Sequence, residues 1–298
     1  MDGFVFLDAG GTQIKSAAYS PDGRPLCGIH SAPSRSLEDR DTVLSNFLSV
    51  IDREKQVLLA SGFSLGSVGF SFPGPFDYPA GICLIRGLHK YESIYGISLR
   101  KALPDFPGQH VIPPDTRFFF QHDMKSFALG EASRSLDPET ERILCLCIGT
   151  GAGSAFLENG RMLAKDPRIP DEGWIYPFPL RGAVVDDWIS ARGLERLAVD
   201  AGFTAGTTGK DLSLLAAGGD SAALDVWREF GGLIAEALAP WVRSFRPQLL
   251  LFGGQISKAL DYFGAPVFAA FPDLKSASVL NTTESMFRGL YAAMTSND

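Results

Sequence analysis

The stretch Asp8-Ala9-Gly10-Gly11-Thr12 joins an apolar run, Phe4-Val5-Phe6-Leu7, to a second one from Ile14 to Tyr19. Two adjacent glycines remove the side chains that would block approach, so the N–H groups of the turn and the Thr12 hydroxyl can face an anion, and phosphate is the natural guest. A carboxylate on the same strand repels bare phosphate, an arrangement that makes sense where Mg2+ stands between them; Asp8 is read as holding the ion through water. A plain glycine-rich hairpin, with Asp8 satisfying local N–H groups, accounts for the same residues. A second turn, Gly149-Thr150-Gly151-Ala152-Gly153, also follows an apolar strand. With no Gly-Lys-Ser/Thr and a strand following, it is neither a P-loop nor a dinucleotide fingerprint. As a pair, the two turns suit a grip on one polyphosphate. In Leu250-Leu251-Phe252-Gly253-Gly254-Gln255-Ile256-Ser257 a strand ends on two glycines and a helix opens. That ledge suits a flat group such as adenosine, or close strand–helix packing. Asp123, between a strand and a helix, is placed to act as a general base toward a hydroxyl, although aspartate is equally a common helix N-cap.

Short strands and turns must position these residues. Phe4 to Asp8, Ile14 to Tyr19 and Leu26 to His30 read as three strands, the second turn being Pro21-Asp22-Gly23-Arg24. The plan recurs in Ile143 to Ile148, Ser154 to Leu157 and Met162-Leu163, with a tight Glu158-Asn159-Gly160-Arg161 turn. The chain therefore looks internally duplicated. Between the two meanders, apolar positions near the 3.6 period predict a helix from Asp41 to Ser61. A strand over Ser67 to Phe72 breaks at Pro73-Gly74-Pro75, a short helix follows near Ser98 to Leu103, and Arg117 to Phe120 leads into a helix reaching Arg134. The remainder reads as helices over Asp186 to Ala201, Gly209 to Ala217 and Ser221 to Phe245, a strand over Gln248 to Phe252, a further helix, and a closing helix over Thr283 to Met294. This mixture predicts two α/β lobes, residues 1–115 with 283–298 and residues 116–282, parted near Pro113-Pro114-Asp115.

Composition narrows the partners. At about 150 residues per domain, 298 residues make two, and 45% apolar content excludes intrinsic disorder. With 27 Lys+Arg against 34 Asp+Glu, a net charge of −7 and no basic run, nucleic acid is excluded as an expected partner. No apolar stretch approaches the ~20 residues that span a bilayer, so no membrane role is expected. The start lacks a basic leader, and Cys27, Cys83, Cys145 and Cys147 form neither a disulfide framework nor a Cys-x-x-Cys pair. A reducing cytoplasm fits these features.

In this order the motifs resemble the ROK family, the bacterial sugar kinases and related repressors of the hexokinase and actin-like ATPase superfamily. Asp8 to Thr12 resembles its first phosphate motif, Ser71-Phe72-Pro73-Gly74-Pro75-Phe76-Asp77 its sugar-side loop, and His122 to Glu131 its Asn-Asp-Ala-Asn-x-x-Ala-Leu-Gly-Glu segment. Ile148 to Gly153 resembles the second phosphate loop and Leu249 to Ser257 the adenosine segment. The resemblance implies two actin-like, ribonuclease H-like lobes, each a mixed sheet with helices, closing a cleft over a sugar to exclude water. It implies transfer of the ATP γ-phosphoryl group to a hydroxyl of a hexose or N-acetyl amino sugar, with Mg2+ on the phosphates and Asp123 as base. Gly74, His122, Glu172 and Asp186 are then expected on the sugar side. Gly10, Gly11, Thr12, Gly149, Thr150, Gly151, Gly253 and Gly254 are expected on the nucleotide, and Lys15 as a cation near the phosphates. Three departures stand out: His122 replaces the family asparagine, Gln13 replaces the usual lysine, and Gly173-Trp174-Ile175-Tyr176-Pro177 replaces the zinc-binding histidine segment. With no cysteine beyond Cys147, the family's structural zinc is expected to be absent. A catalytically inactive sugar sensor is the other reading; a DNA-binding repressor is disfavoured because the first strand starts at Phe4, leaving no room for a helix-turn-helix. Polyphosphate stays open as donor, and a homodimer is an assembly common among similar proteins.

Overall fold

The computed structural model describes residues 1–134 and 140–296. Its chain divides into two compact units, Met1–Arg134 with Thr283–Asp298, and Ser135–Thr282.

The first unit is built on strands β1 (Asp2–Ala9), β2 (Gln13–Tyr19) and β3 (His30–Pro33), helix α1 (Arg40–Ala60) and strand β4 (Ser64–Phe72). Two-residue strands β5 (Phe76–Asp77) and β6 (Ile82–Cys83), helix α2 (Leu99–Ala102), strand β7 (Arg117–His122) and helix α3 (Asp123–Ala132) follow. The five longer strands form one sheet in the order β3-β2-β1-β4-β7. β2 lies antiparallel to β1, whereas β4 and β7 continue in parallel.

Central β1 is buried on both faces, and period 2 divides its side chains between them. Val5, Leu7 and Ala9 join the core under α1 with Phe47, Leu48 and Ile51. Phe4 and Phe6 meet Phe287 and Leu290 on the opposite face. Each such large apolar side chain contributes about 1.5–3 kcal/mol by leaving water. Asp39 starts α1 by accepting the Thr42 N–H at Oδ1, 3.0 Å away.

The second unit repeats the sheet. Strands β8 (Arg142–Ile148), β9 (Ala152–Glu158) and β10 (Arg161–Leu163) precede the small pair β11 (Pro179–Leu180) and β12 (Ala183–Val184). Helices α4 (Val185–Trp188), α5 (Ala191–Asp200), α6 (Gly209–Ala217) and α7 (Ser221–Phe245) lead to β13 (Leu249–Gly253), α8 (Leu260–Ala270) and β14 (Lys275–Ser278). The sheet order is β10-β9-β8-β13-β14, with the same antiparallel and parallel senses as the first. Helix α9 (Thr282–Thr295) then supplies Phe287 and Leu290 to the first unit. Both units are mixed sheets flanked by helices, the architecture implied by the duplicated motifs.

Three local expectations change. β7 pairs with β4 from Ser67↔Arg117 to Phe72↔His122, so a division at about Asp115 falls inside the first unit. The third strand is His30–Pro33, not Leu26 to His30: the chain touches β2 at Leu26, whose N–H donates to Ala18 O, and only from His30 does it pair with Ser16 through to Gln13. The expected helix Asp186 to Ala201 is two, because Ser190 is extended and its Oγ caps Gly193 N–H.

Candidate active site

In the first unit the hydrogen bonds of the glycine turn run through its carbonyls. Ser34 and Ser36 hydroxyls both donate to Gly11 O, Tyr91 Oη donates to Gly10 O, and Gly10 N–H closes the turn on Gln13 O at 3.0 Å. Gly10, Gly11 and Thr12 are thereby held from behind. A Cβ on Gly11 would lie 3.3 Å from Lys90 Cδ, so this lysine, which the motifs do not mark, runs alongside the turn.

Asp8 stands in a row of register-paired residues, Lys15, Asp8, Ser71 and Gln121, across four strands. Paired residues share a face of the sheet. Thr283, at the start of α9, donates to Asp8 Oδ2 at 3.2 Å and accepts from Lys15 Nζ at 3.0 Å. Burial is the main reason the Asp8 carboxyl is pushed up to about 6; the Lys15 ammonium opposes it, the Asp123 charge adds to it, and Thr283 opposes it. Ser71 and Gln121 are 0% and 3% exposed, and neither the Ser71 hydroxyl nor the Gln121 amide has a hydrogen-bond partner among the described residues. Such orphaned groups beside a carboxylate are where an ordered water belongs.

Asp123 is the first residue of α3, and the N-cap is His122, whose Nδ1 accepts the Met124 N–H at 3.2 Å. Asp123 Oδ1 accepts that N–H at 2.7 Å and lies 3.0 Å from His122 Nδ1, yet the side chain remains 36% exposed. Tyr78 packs edge-on to His122 with ring centroids 5.9 Å apart and donates its hydroxyl to Phe72 O. Burial, followed by the Asp123 charge, pushes that phenol well above its ordinary value. A Cβ on Gly74 would lie 3.5 Å from both His122 Cδ2 and the Tyr78 hydroxyl, so the Pro-Gly-Pro loop borders the histidine that precedes this carboxylate. Behind it, α3 and α9 meet backbone to backbone. A Cβ on Gly130 would lie 1.7 Å from Ser285 O, and one on Gly289 1.8 Å from Ser126 O.

In the second unit Asp186 serves the second glycine turn. Its Oδ1 accepts the Ala152 N–H at 2.7 Å, its Oδ2 accepts from Arg192 at 2.8 Å, and a Cβ on Gly151 would lie 2.6 Å from Oδ1. The turn also closes on itself, Gly149 N–H donating to Gly151 O at 3.0 Å and Gly149 O accepting from Ala191. Glu172 is exposed and has left-handed backbone, φ 55°, beside buried Gly173. Next to it Trp174 and Tyr176 present rings 6.0 Å apart, each about two-fifths exposed. Gly253 ends β13. Gly254, at φ 86°, has no room for a side chain, since a Cβ would lie 2.3 Å from Ile148 O. Its N–H donates to Thr282 Oγ1 and its carbonyl accepts from Ser257 Oγ. Cys145 and Cys147 lie in β8.

Sequence reasoning therefore missed Lys90, Thr283, Ser71 and Gln121 as neighbours of the first turn. Ser71 and Gln121 carried a signal, polar residues inside apolar strands; Lys90 and Thr283 are far away in sequence and carried none. No described helix is long and apolar enough to cross a membrane.

The chain is 25% identical to a glucokinase of Thermotoga maritima, over 94% of this chain and 90% of that protein. It is 23% identical to an N-acetyl-D-glucosamine kinase of Haemophilus influenzae, covering 89% and 88%. Its fold matches the crystal structure of a ROK family glucokinase from Streptomyces griseus in complex with glucose and AMPPNP, with a TM-score of 0.74, 16% identity and 97% of both chains covered. The ROK family model itself extends over residues 5–283, from β1 through both glycine turns to the threonine that holds Asp8, and the chain belongs to that family.

Proposed function

We propose that the protein is an ATP-dependent sugar kinase that phosphorylates a hydroxyl of a hexose or N-acetyl amino sugar. The observation that carries this reading is the Asp123 carboxylate, fixed at the start of α3 by the Met124 N–H, beside His122, while 36% exposed. Asp123 takes the proton of the sugar hydroxyl as that oxygen attacks the γ-phosphorus. The bond from this phosphorus to its bridging oxygen breaks, ADP leaves, and the sugar phosphate retains the new bond. His122 borders the base and Gly74 packs against His122, and with Glu172 they form the proposed sugar side; Asp186, which accepts from Ala152 N–H, is grouped instead with the second phosphate cradle. Gly10, Gly11 and Thr12, with Lys15, form one proposed phosphate cradle, and Gly149, Thr150 and Gly151 the other. Gly253 and Gly254 would lie against adenosine.

Asp8, Ser71 and Gln121 fit a hydrated Mg2+: the carboxyl shares its row with two polar groups, those of Ser71 and Gln121, that lack partners among the described residues. Asp8 would hold the ion through water, and when bound it supplies neutralisation of phosphate charge. The names of the two enzyme relatives support a hexose or N-acetylhexosamine acceptor. The test is ADP release over a monosaccharide panel with ATP, and sugar phosphate formation with polyphosphate, beside the Asp123→Ala variant. Sugar-stimulated turnover lost in the variant is expected. Sugar binding without turnover by either donor would replace this reading with a sensor.

A further inference from the structure

A second chemistry-bearing cluster lies in the first unit, in residues the kinase reading does not use. Cys27 and His30 are spaced Cys-x-x-His in the segment entering β3, and Glu54 lies on α1. Glu54 is 0% exposed, although glutamate is almost never fully buried without partners. Its Oε1 accepts from Ser16 Oγ at 2.7 Å and from Arg53 Nε at 3.0 Å; its Oε2 faces Cys27 Sγ at 3.6 Å. His30 Nδ1 lies 3.0 and 3.1 Å from the two oxygens. One ligand atom from each of the three side chains lies within 4.8 Å of the others.

We propose that Cys27 Sγ, His30 Nδ1 and Glu54 Oε2 form a binding site for a borderline divalent cation, of which Zn2+ is the fitting example. Zinc bonds of about 2.0 Å to nitrogen and oxygen and about 2.3 Å to sulfur place tetrahedral ligands roughly 3.3 Å apart for N and O, and 3.5 Å for S and O. The observed separations of 3.1 and 3.6 Å from Oε2 lie close to these, and Cys27 Sγ and His30 Nδ1 lie within 4.8 Å of each other. Ser16 and Arg53 occupy Oε1 and are themselves joined, Arg53 to Ser16 Oγ at 2.8 Å. That leaves Oε2 as the ligand oxygen, with the carboxylate oriented as outer hydrogen bonds orient metal-bound carboxylates. Binding releases the thiol proton to solvent and shifts the imidazole proton from Nδ1 to Nε2, so that both atoms present lone pairs. With three protein ligands the fourth position falls to water. The ion would tie the segment before β3 to α1, in a place unrelated to the cysteine and histidine cluster the family resemblance brings to mind.

The test uses the full chain freed of metal with a chelator. Co2+ is expected to bind one per chain with the intense visible bands of a tetrahedral site and a near-ultraviolet thiolate charge-transfer band. Cys27→Ser, which conserves shape, is expected to lose the charge-transfer band and to weaken Zn2+ in a chelator competition by at least about tenfold, as His30→Gln would. Zn2+ should raise the unfolding temperature of the wild type and not of Cys27→Ser. Binding that is equal in wild type and Cys27→Ser, or absent from the wild type at micromolar Zn2+, would overturn the proposal. Glu54→Gln is avoided because it would disturb a buried hydrogen-bond network whether or not metal binds. Each readout is independent of sugar phosphorylation.

Discussion

Replacing Asp8 by asparagine should make the protein more stable at neutral pH while disabling it. In the folded chain the Asp8 carboxyl titrates at about 6, against an ordinary value of 3.8. At 1.36 kcal/mol for each pH unit between those values, keeping it ionised costs about 3 kcal/mol. That value is already net of the favourable Lys15 charge. The sign follows from proton counting: between pH 4 and 6 the folded state holds a proton that the unfolded state has released, so stability falls as pH rises through that window. Below pH 4 the cost vanishes, and above 6 it is present in full. The asparagine of the variant never bears it and retains an oxygen to accept from Thr283. The stability difference between Asp8→Asn and wild type should therefore grow from near zero at pH 4 to as much as about 3 kcal/mol at pH 7.5, in favour of the variant. Urea unfolding should be followed by circular dichroism, because all four tryptophans, Trp174, Trp188, Trp227 and Trp241, belong to the second unit and would not report on Asp8. A variant less stable than wild type at pH 7.5, or a difference independent of pH, would refute the argument.

Three other outcomes follow from the geometry. Asp123→Asn should lower sugar-dependent turnover by about 10^2–10^4-fold with an unchanged circular dichroism spectrum. Gly254→Ala should lower the urea-unfolding free energy by more than about 2 kcal/mol, since left-handed backbone and the Ile148 carbonyl both oppose a methyl group. Asp186→Ala frees the Ala152 N–H and Arg192, and should raise the KM for nucleotide by roughly tenfold, more than that for sugar; the reverse order in steady-state kinetics would assign Asp186 to the sugar.

The duplicated sheet was readable because each half states its plan locally: an apolar strand, a glycine turn, a strand, and a hairpin signal. Asp123 was readable because strand and helix signals meet at it. The third strand was misplaced because Leu26 and Cys27 are apolar for packing rather than for pairing; both lie against the core as partly buried residues outside any strand. The break at Ser190 was missed because periodicity alone does not decide between one helix and two. Asp186 was expected on the sugar side through the resemblance alone; its engagement with Ala152 and Arg192 depends on a fold between residues 34 and 6 apart. Contacts such as Thr283 with Asp8, 275 residues distant, leave no local trace.

The helix over 282–295 also sets a timetable. It is synthesised after the whole second unit, yet it covers one face of the sheet that the chain began. At about 5–20 residues per second, the ~150 intervening residues leave that face bare for roughly 7–30 s on the ribosome. Phe4, Phe6 and Tyr19 would meanwhile be open to chaperones or to other nascent chains, and Asp8 would lack its threonine. A stop codon shortly before residue 282 should therefore yield a sticky, metabolically silent product even though every glycine turn had already been made.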